Sequence, residues 1–235
     1  MFHYATIVNT VAVVLGSLLG IYFGKIIPEK MKNTMFTSVG LITLGIGTAM
    51  VVKPMITPQM AKVGRPDFLL ILLSLLFGGI IGELTKLEDS LENLAGKVGK
   101  SEGFSTGFVS ASLLFTIGPM TIIGCLNIGL QNDPSLILVK SLMDFISSSI
   151  LASLYGFGVL FSAIWILIFQ GLLVSLATYL RFLSTPVYLG DMTALGGLLV
   201  LAIGIRILGL KEIKVGNFLP AIVIIPIADY ISTLF

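Results

Sequence analysis

Lys140 and Asp144 stand four residues apart in LVKSLMDFISSSIL, a run otherwise made of apolar and small residues. On a helix these positions share a face, so the two side chains can neutralise each other. A lone charge at the centre of a bilayer costs at least about 2.5–3.5 kcal/mol, and ionisable residues inside a span therefore face the protein interior and serve ion, proton or substrate pathways. The chemistry on offer is a carboxylate that binds H⁺ or Na⁺, with an ammonium as its internal counter-ion. The plainer alternative is that Lys140, near the start of its span, snorkels to the interface.

A second acid, Asp229, lies in FLPAIVIIPIADYIS, with Pro226 one turn before it and Pro220 another turn back. Each proline removes a backbone donor and frees a carbonyl that could coordinate an ion or a substrate ammonium. Alternatively Asp229 emerges at the outer interface. TIGPMT puts Gly118 and Pro119 between Thr116 and Thr121, which predicts a helix break with a half-helix N-terminus pointing inward. TLGIGT, with Thr43 and Thr48, is a weaker version of the same pattern. These threonines are ligands if the breaks are real, and otherwise bond back to their own helices. Asn9, Asn127 and Arg206 are further candidates for substrate contact, against simple hydrogen bonding between helices.

Cys125 is the only cysteine and His3 the only histidine, so neither an intramolecular disulfide nor a Cys/His metal site is expected. Cys125 reads as a small apolar filler. No P-loop, H-E-x-x-H or G-x-S-x-G motif is present, so the expectation is a protein without catalytic residues or cofactor, neither an ATP-driven pump nor a common intramembrane protease.

The elements that must position these residues are membrane helices. Of 235 residues 56% are hydrophobic and 11% charged, and the mean hydropathy is +1.05, far from a soluble domain. Apolar runs of about 20 residues recur along the whole chain and leave no soluble domain, so residues 1–235 read as one membrane domain. The first run lacks a basic n-region and a cleavage site, and is expected to be retained. Eight spans are predicted, about 5–24, 35–53, 67–85, 106–129, 135–154, 157–181, 187–208 and 216–234, with seven as the alternative count. After the third span, Leu84, Leu87, Leu91, Leu94 and Val98 form an apolar stripe opposite charged residues, the pattern of an amphipathic helix on the membrane surface. The loops after odd-numbered spans hold nine lysines and arginines, against four in the other loops. That places the odd loops and the amphipathic helix in the cytoplasm, with both termini outside. The net charge of +2 gives no reason to expect nucleic acid.

The sequence also repeats itself. IGCLNIGL (123–130) aligns with IGIRILGL (203–210), and MDFIS (143–147) with ADYIS (228–232), which matches Asp144 to Asp229. FGGIIG (77–82) compares with QGLLVS (170–175). Repeats of about 67–154 and 157–234 follow, with 5–85 as a weaker copy. Three helices per copy is odd, so the copies run in opposite directions, an arrangement used by secondary transporters about a midplane site. Gly16, Gly20 and Gly24, and again Gly78 and Gly82, have the spacing that lets helices approach closely, either within the chain or in a homodimer. The serines at 147–149 suit either a cavity lining or close packing.

The blocks GSLLGIYFGKIIPEKMK, VGLITLGIGTAM, FGGIIGE and TIGPMTIIGCLNIGL together resemble the bacterial membrane family known as domain of unknown function 554, the YqgA/YdfK type. The resemblance covers essentially the full chain and implies a polytopic inner-membrane protein described at most as a transport protein, with no substrate or site to carry over. The residues themselves favour a secondary transporter of a small solute or ion, coupled to H⁺ or Na⁺ at a midplane site between the fourth, fifth, seventh and eighth spans. A channel, or a non-transporting scaffold or sensor using the amphipathic helix, are the alternatives.

Overall fold

The computed structural model describes residues 3–26, 28–56, 66–90, 93 and 103–232. Every regular element among them is helical: α1 Tyr4–Gly24, α2 Glu29–Ile56, α3 Phe68–Thr85, α4 Phe104–Thr116, α5 Pro119–Gln131, α6 Ser135–Tyr155, α7 Phe157–Ser175, α8 Pro186–Ile207 and α9 Ala221–Ser232, with short turns at Ala177–Leu180, Arg181–Ser184 and Val215–Phe218. Seven helical segments are long and apolar enough to cross a membrane, and α4 with α5, bent by 55° at their junction, make an eighth if they form one span. The protein is an all-α, multi-pass membrane protein.

Local chemistry sets the boundaries. Asp67 Oδ1 accepts from the amides of Leu69 (2.9 Å) and Leu70 (3.2 Å) and caps α3. Lys86, left-handed at φ 51°, ends that helix, its amide donating to the carbonyls of Gly82 and Glu83. Gly156, at φ 62° and ψ −132°, joins α6 to α7 in a conformation open to glycine alone. Before α6, Asp133 accepts from the Ser135 hydroxyl (2.6 Å) and amide (3.0 Å), and these bonds hold its carboxyl below the usual range.

The chain forms two compact units, residues 1–36 with 94–184, and residues 37–93 with 185–235. In the first unit, α1 lies along α6. A Cβ on Gly16 would meet Phe145 and Ser148, one on Gly20 would meet Ser149 and Ser153, and one on Gly24 would meet Ser153. The glycine series of the first span therefore beds on the serine face of the fifth. Ser148, Ser149 and Ser153 turn their hydroxyls back to carbonyls of their own helix. The bent α4–α5 pair runs along α7: Phe104 meets Gly158 at the start, and Gly129 meets Val174 and Ala177 at the end.

In the second unit, α3 packs on the last span, with Gly78 against Ala221 and Gly82 against Asn217. Along α2 and α8, Gly40 faces Leu208, Gly204 faces Leu44, and Gly47 faces Gly197 and Leu201. These contacts also give directions. α1 and α6 run parallel, because numbers rise together along both, whereas α3 runs antiparallel to the last span and α2 antiparallel to α8. With α2 and α3 each crossing once, a parallel α1 and α6 require the α4–α5 pair to cross as well. On that count the pair is a broken span and the chain has eight spans; as a re-entrant loop it would leave seven.

Two expectations change. The weaker break at TLGIGT is absent: α2 is continuous through Thr43–Thr48, because glycine alone leaves every backbone donor in place, and Gly47 serves close approach to α8. The stripe over 84–98 is not one helix, since α3 ends at Lys86 and a new turn begins at residue 87. Leu84 is 79% exposed and Glu88, on the supposed water-facing side, is 0% exposed. Leu91, Leu94 and Val98 lie outside the described residues.

Candidate functional site

In the first half of α6, Lys140 Nζ and Asp144 Oδ2 form an ion pair. Lys140 is 6% and Asp144 5% exposed, so Lys140 does not snorkel: its ammonium lies 5.6 Å from the centre of the Phe115 ring of α4, a cation–π distance. Asn9 Nδ2 of α1 donates to the same Asp144 oxygen at 3.1 Å. The parallel packing of α1 on α6 brings Asn9 there, and its side chain is a polar anchor within the apolar seam. Its own Oδ1 is buried with no hydrogen-bond partner.

The break at Gly118 and Pro119 is real, α4 ending at Thr116 and α5 starting at Pro119. Its threonines are engaged locally. Thr116 Oγ1 donates to the Ser112 carbonyl of its own helix at 2.5 Å, and Thr121 Oγ1 reaches across the break to the Phe115 carbonyl at 2.9 Å. Gly118 is the N-cap of α5 and accepts through its carbonyl from the Thr121 amide at 3.0 Å. Thr43 and Thr48 likewise bond back to Val39 and Leu44. Asn127, half-buried near the end of α5, accepts from the Asp133 amide through its carbonyl. Cys125 is buried.

Other polar groups in this unit are less well provided for. The Ser17, Ser110 and Ser112 hydroxyls and both amide atoms of Gln170 are buried without a hydrogen-bond partner. An unsatisfied buried polar group costs about 1–3 kcal/mol, and native proteins keep few without a reason such as a ligand, an ion or water. Gln170 is the most demanding, since an amide has both donors and acceptors to satisfy.

In the second unit, Asp229 of α9 sits toward the end of its helix, as the interface reading has it, yet it is 1% exposed. Asp191 of α8 is also 1% exposed, and its Oδ1 accepts the Asp67 amide at 2.8 Å. Neither Asp229 oxygen has a hydrogen-bond partner. Arg206 belongs to a different cluster. Its Nη1 donates to Glu88 Oε1 at 2.5 Å, and Glu88 Oε2 accepts the Gly216 amide at 2.7 Å. Asn217 donates to Glu83 (2.6 Å) and accepts the Glu88 amide (2.9 Å). This network ties α3, the 87–90 turn, α8 and the Val215–Phe218 turn together, a structural role that engages the guanidinium expected to meet substrate. Nearby, Lys214 pairs with Asp89 at 2.8 Å and holds its carboxyl below the usual range.

Asn9 thus joins Asp144 as expected of a polar residue within a span. Asp191 and Gln170 were not singled out from sequence, although the rule that flagged Asp144, an ionisable residue within a predicted span, applies equally to the aspartate of YLGDMTALGG. Gln170 is uncharged and gave a weaker signal.

The chain is similar to two curated proteins over nearly its full length. It is 34% identical over 227 residues to "Uncharacterized protein YqgA" of Escherichia coli K12, covering 92% of each chain. It is 30% identical over 232 residues to "Uncharacterized membrane protein YdfK" of Bacillus subtilis 168, covering 99% of this chain and 98% of that one. No solved structure matches. The model of the family described as "Protein of unknown function (DUF554)" matches residues 4–230, and the chain belongs to that family.

Proposed function

We propose that the protein is a secondary transporter of a small solute or ion, coupled to H⁺ or Na⁺ by alternating access, with Asp144 as the ion-carrying group and Lys140 as its counter-ion. The observation that carries this reading is the buried Lys140–Asp144 pair in the first half of a membrane-spanning helix, closed by Asn9. A structural role alone gives no reason to place two charges there, since apolar residues of similar volume stabilise as well or better. A proton or cation arriving at Asp144 releases Lys140. Transport follows if the loaded and unloaded forms prefer different conformations, that is, if the ion binds them with different affinity.

The support for the internal repeat is the paired sequence blocks that match Asp144 to Asp229. The first unit holds the first, fourth, fifth and sixth spans, and the second holds the second, third, seventh and eighth. Each unit therefore carries one of the two matched aspartates. A bacterial cytoplasmic membrane with both termini outside fits the distribution of lysine and arginine. The lipid bilayer and the transported solute are the expected partners, with no nucleic acid. A homodimer would have to use surfaces other than the glycine series of α1, which α6 occupies.

The test is proton flux in proteoliposomes loaded with a pH-reporting dye, together with a parallel assay driven by a sodium gradient, across a panel of amino acids, organic acids, amines and inorganic ions. The wild-type protein should couple flux of at least one to a gradient, and Asp144→Asn should abolish the coupling. Coupled flux that survives Asp144→Asn for every solute would falsify the assignment.

A further inference from the structure

Val159 of α7 packs on Gly107 of α4, with a methyl 3.4 Å from where a Cβ on that glycine would lie. From this contact the two helices run on in the same direction. Eleven residues make about three helical turns and return to nearly the same face. The side of α7 that meets Gly107 through Val159 therefore comes round again at Gln170, and the same count from Gly107 ends at Gly118. Val159, Ala163, Ile166 and Gln170 are all buried, so that side of α7 faces inward along its length. Gln170 is thereby set level with the break between α4 and α5. It is also level with the ion pair, since Asp144 lies twelve residues before Gly156, the turn that joins α6 to α7, and Gln170 fourteen after it.

At that level the break borders open space. A Cβ on Gly118 would meet nothing within 4 Å, although Thr116, Ile117 and Thr121 around it are buried. Gly118 is the N-cap of α5, so the positive end of that helix's dipole lies there. The Lys140 ammonium is 5.6 Å from the centre of the Phe115 ring, three residues before Gly118. Both amide atoms of Gln170 are buried and without a hydrogen-bond partner.

These groups select a ligand. A positive helix end, an ammonium and an amide N–H call for an anion with oxygen acceptors, and the amide carbonyl of Gln170 calls for a donor. One ammonium balances one negative charge, and it would repel the second ammonium of an amino acid. A small monocarboxylate that carries a hydroxyl meets every demand, with its carboxylate toward Gly118 and Lys140 and its hydroxyl toward Gln170.

We propose that the first unit holds a site for a small hydroxy monocarboxylate, formed by Gln170, the N-terminus of α5 at Gly118, and Lys140. Its place in a transport cycle rests on the transporter reading: once a proton or Na⁺ neutralises Asp144, the ligand's carboxylate replaces Asp144 as the counter-ion of Lys140. Binding itself does not depend on that reading.

The experiment is isothermal titration calorimetry of the full chain in detergent micelles at mildly acidic pH, with lactate, propionate, alanine and phosphate. The wild type should bind lactate about tenfold tighter than propionate, which lacks the hydroxyl, and alanine and phosphate more weakly than lactate. Gln170→Leu should lose the preference for lactate over propionate and leave the affinity for propionate as it was, a change that a purely structural glutamine would not produce. Gly118 has φ −83° and ψ 146°, a conformation open to any residue, so Gly118→Leu should fold, fill the space and abolish binding of both carboxylates. Asp144→Asn, which leaves Lys140 without a carboxylate, should bind lactate at least as tightly as the wild type. Absence of lactate binding in the wild type, which needs no variant to fold, overturns the proposal. So do equal affinities for lactate and propionate, tighter binding of alanine or phosphate, a lactate preference that survives Gln170→Leu, or lactate binding that survives Gly118→Leu. Lactate binding that behaves as expected while coupled flux survives Asp144→Asn would keep the site and remove the coupling role of Asp144, whereas coupled flux of another solute with no lactate binding would do the reverse.

Discussion

Replacing Lys140 by methionine keeps most of its stem and deletes the ammonium. Asp144 would then rely on the Asn9 amide at 3.1 Å, in surroundings that leave it 5% exposed. A lone central charge costs about 2.5–3.5 kcal/mol on insertion scales, and removing one partner of a buried pair costs about 3–5 kcal/mol, so a loss of about 3 kcal/mol is expected. Asp144→Asn should cost less, about 1–2 kcal/mol, because Lys140 keeps the Phe115 ring at 5.6 Å, worth up to about 2 kcal/mol when desolvated, and the amide oxygen of the substituted side chain still accepts from Asn9. The double variant removes both charges and should return to within about 1 kcal/mol of the wild type. The assay is reversible unfolding of the full chain in mixed micelles, read as a double-mutant cycle. Two results would refute the reasoning: additive losses in the double variant, or a Lys140→Met protein within about 0.5 kcal/mol of wild type, as expected if Lys140 reached the interface instead.

Gln170→Leu should leave stability equal or raise it by about 1 kcal/mol, since it deletes two unsatisfied amide atoms, while lowering transport in the flux assay; destabilisation of several kcal/mol would show that the amide is bonded in the native protein. Gly20→Val should destabilise by about 1–3 kcal/mol or more, because its Cβ would lie 2.9 Å from the Ser153 backbone nitrogen, whereas Gly45→Ala, with nothing within 4 Å of the added carbon, should be close to neutral; thermal unfolding in detergent distinguishes them. Arg206→Gln should cost about 3–5 kcal/mol, since it strips the guanidinium from buried Glu88. Lys214→Gln should change stability little at neutral pH, because its pair with Asp89 is solvent-exposed. The lowered Asp89 carboxyl stabilises the fold above its unfolded pKa, and that contribution is lost as pH falls through the folded value. Lys214→Gln should therefore flatten the acid side of the stability profile.

The sequence alone determined the spans, the break at Gly118 and Pro119, and the Lys140–Asp144 pair, because each depends on residues within a few turns of one helix: apolar length, a missing proline N–H, and the i,i+4 spacing. It also flagged Gly16, Gly20 and Gly24 as a contact face, but left open what covers them. Only the tertiary structure decided that α6 does, that Asn9 reaches Asp144, and that Arg206 is held by Glu88. The stripe from Leu84 to Val98 misled because periodicity assumes a continuous helix, and a left-handed Lys86 resets the phase so that Glu88 turns inward. Asp191 and Asp229 show the same limit. Each is visible as an acid in an apolar run, but that both are buried and that Asp191 accepts the Asp67 amide depends on how α3, α8 and α9 pack, which no local pattern records.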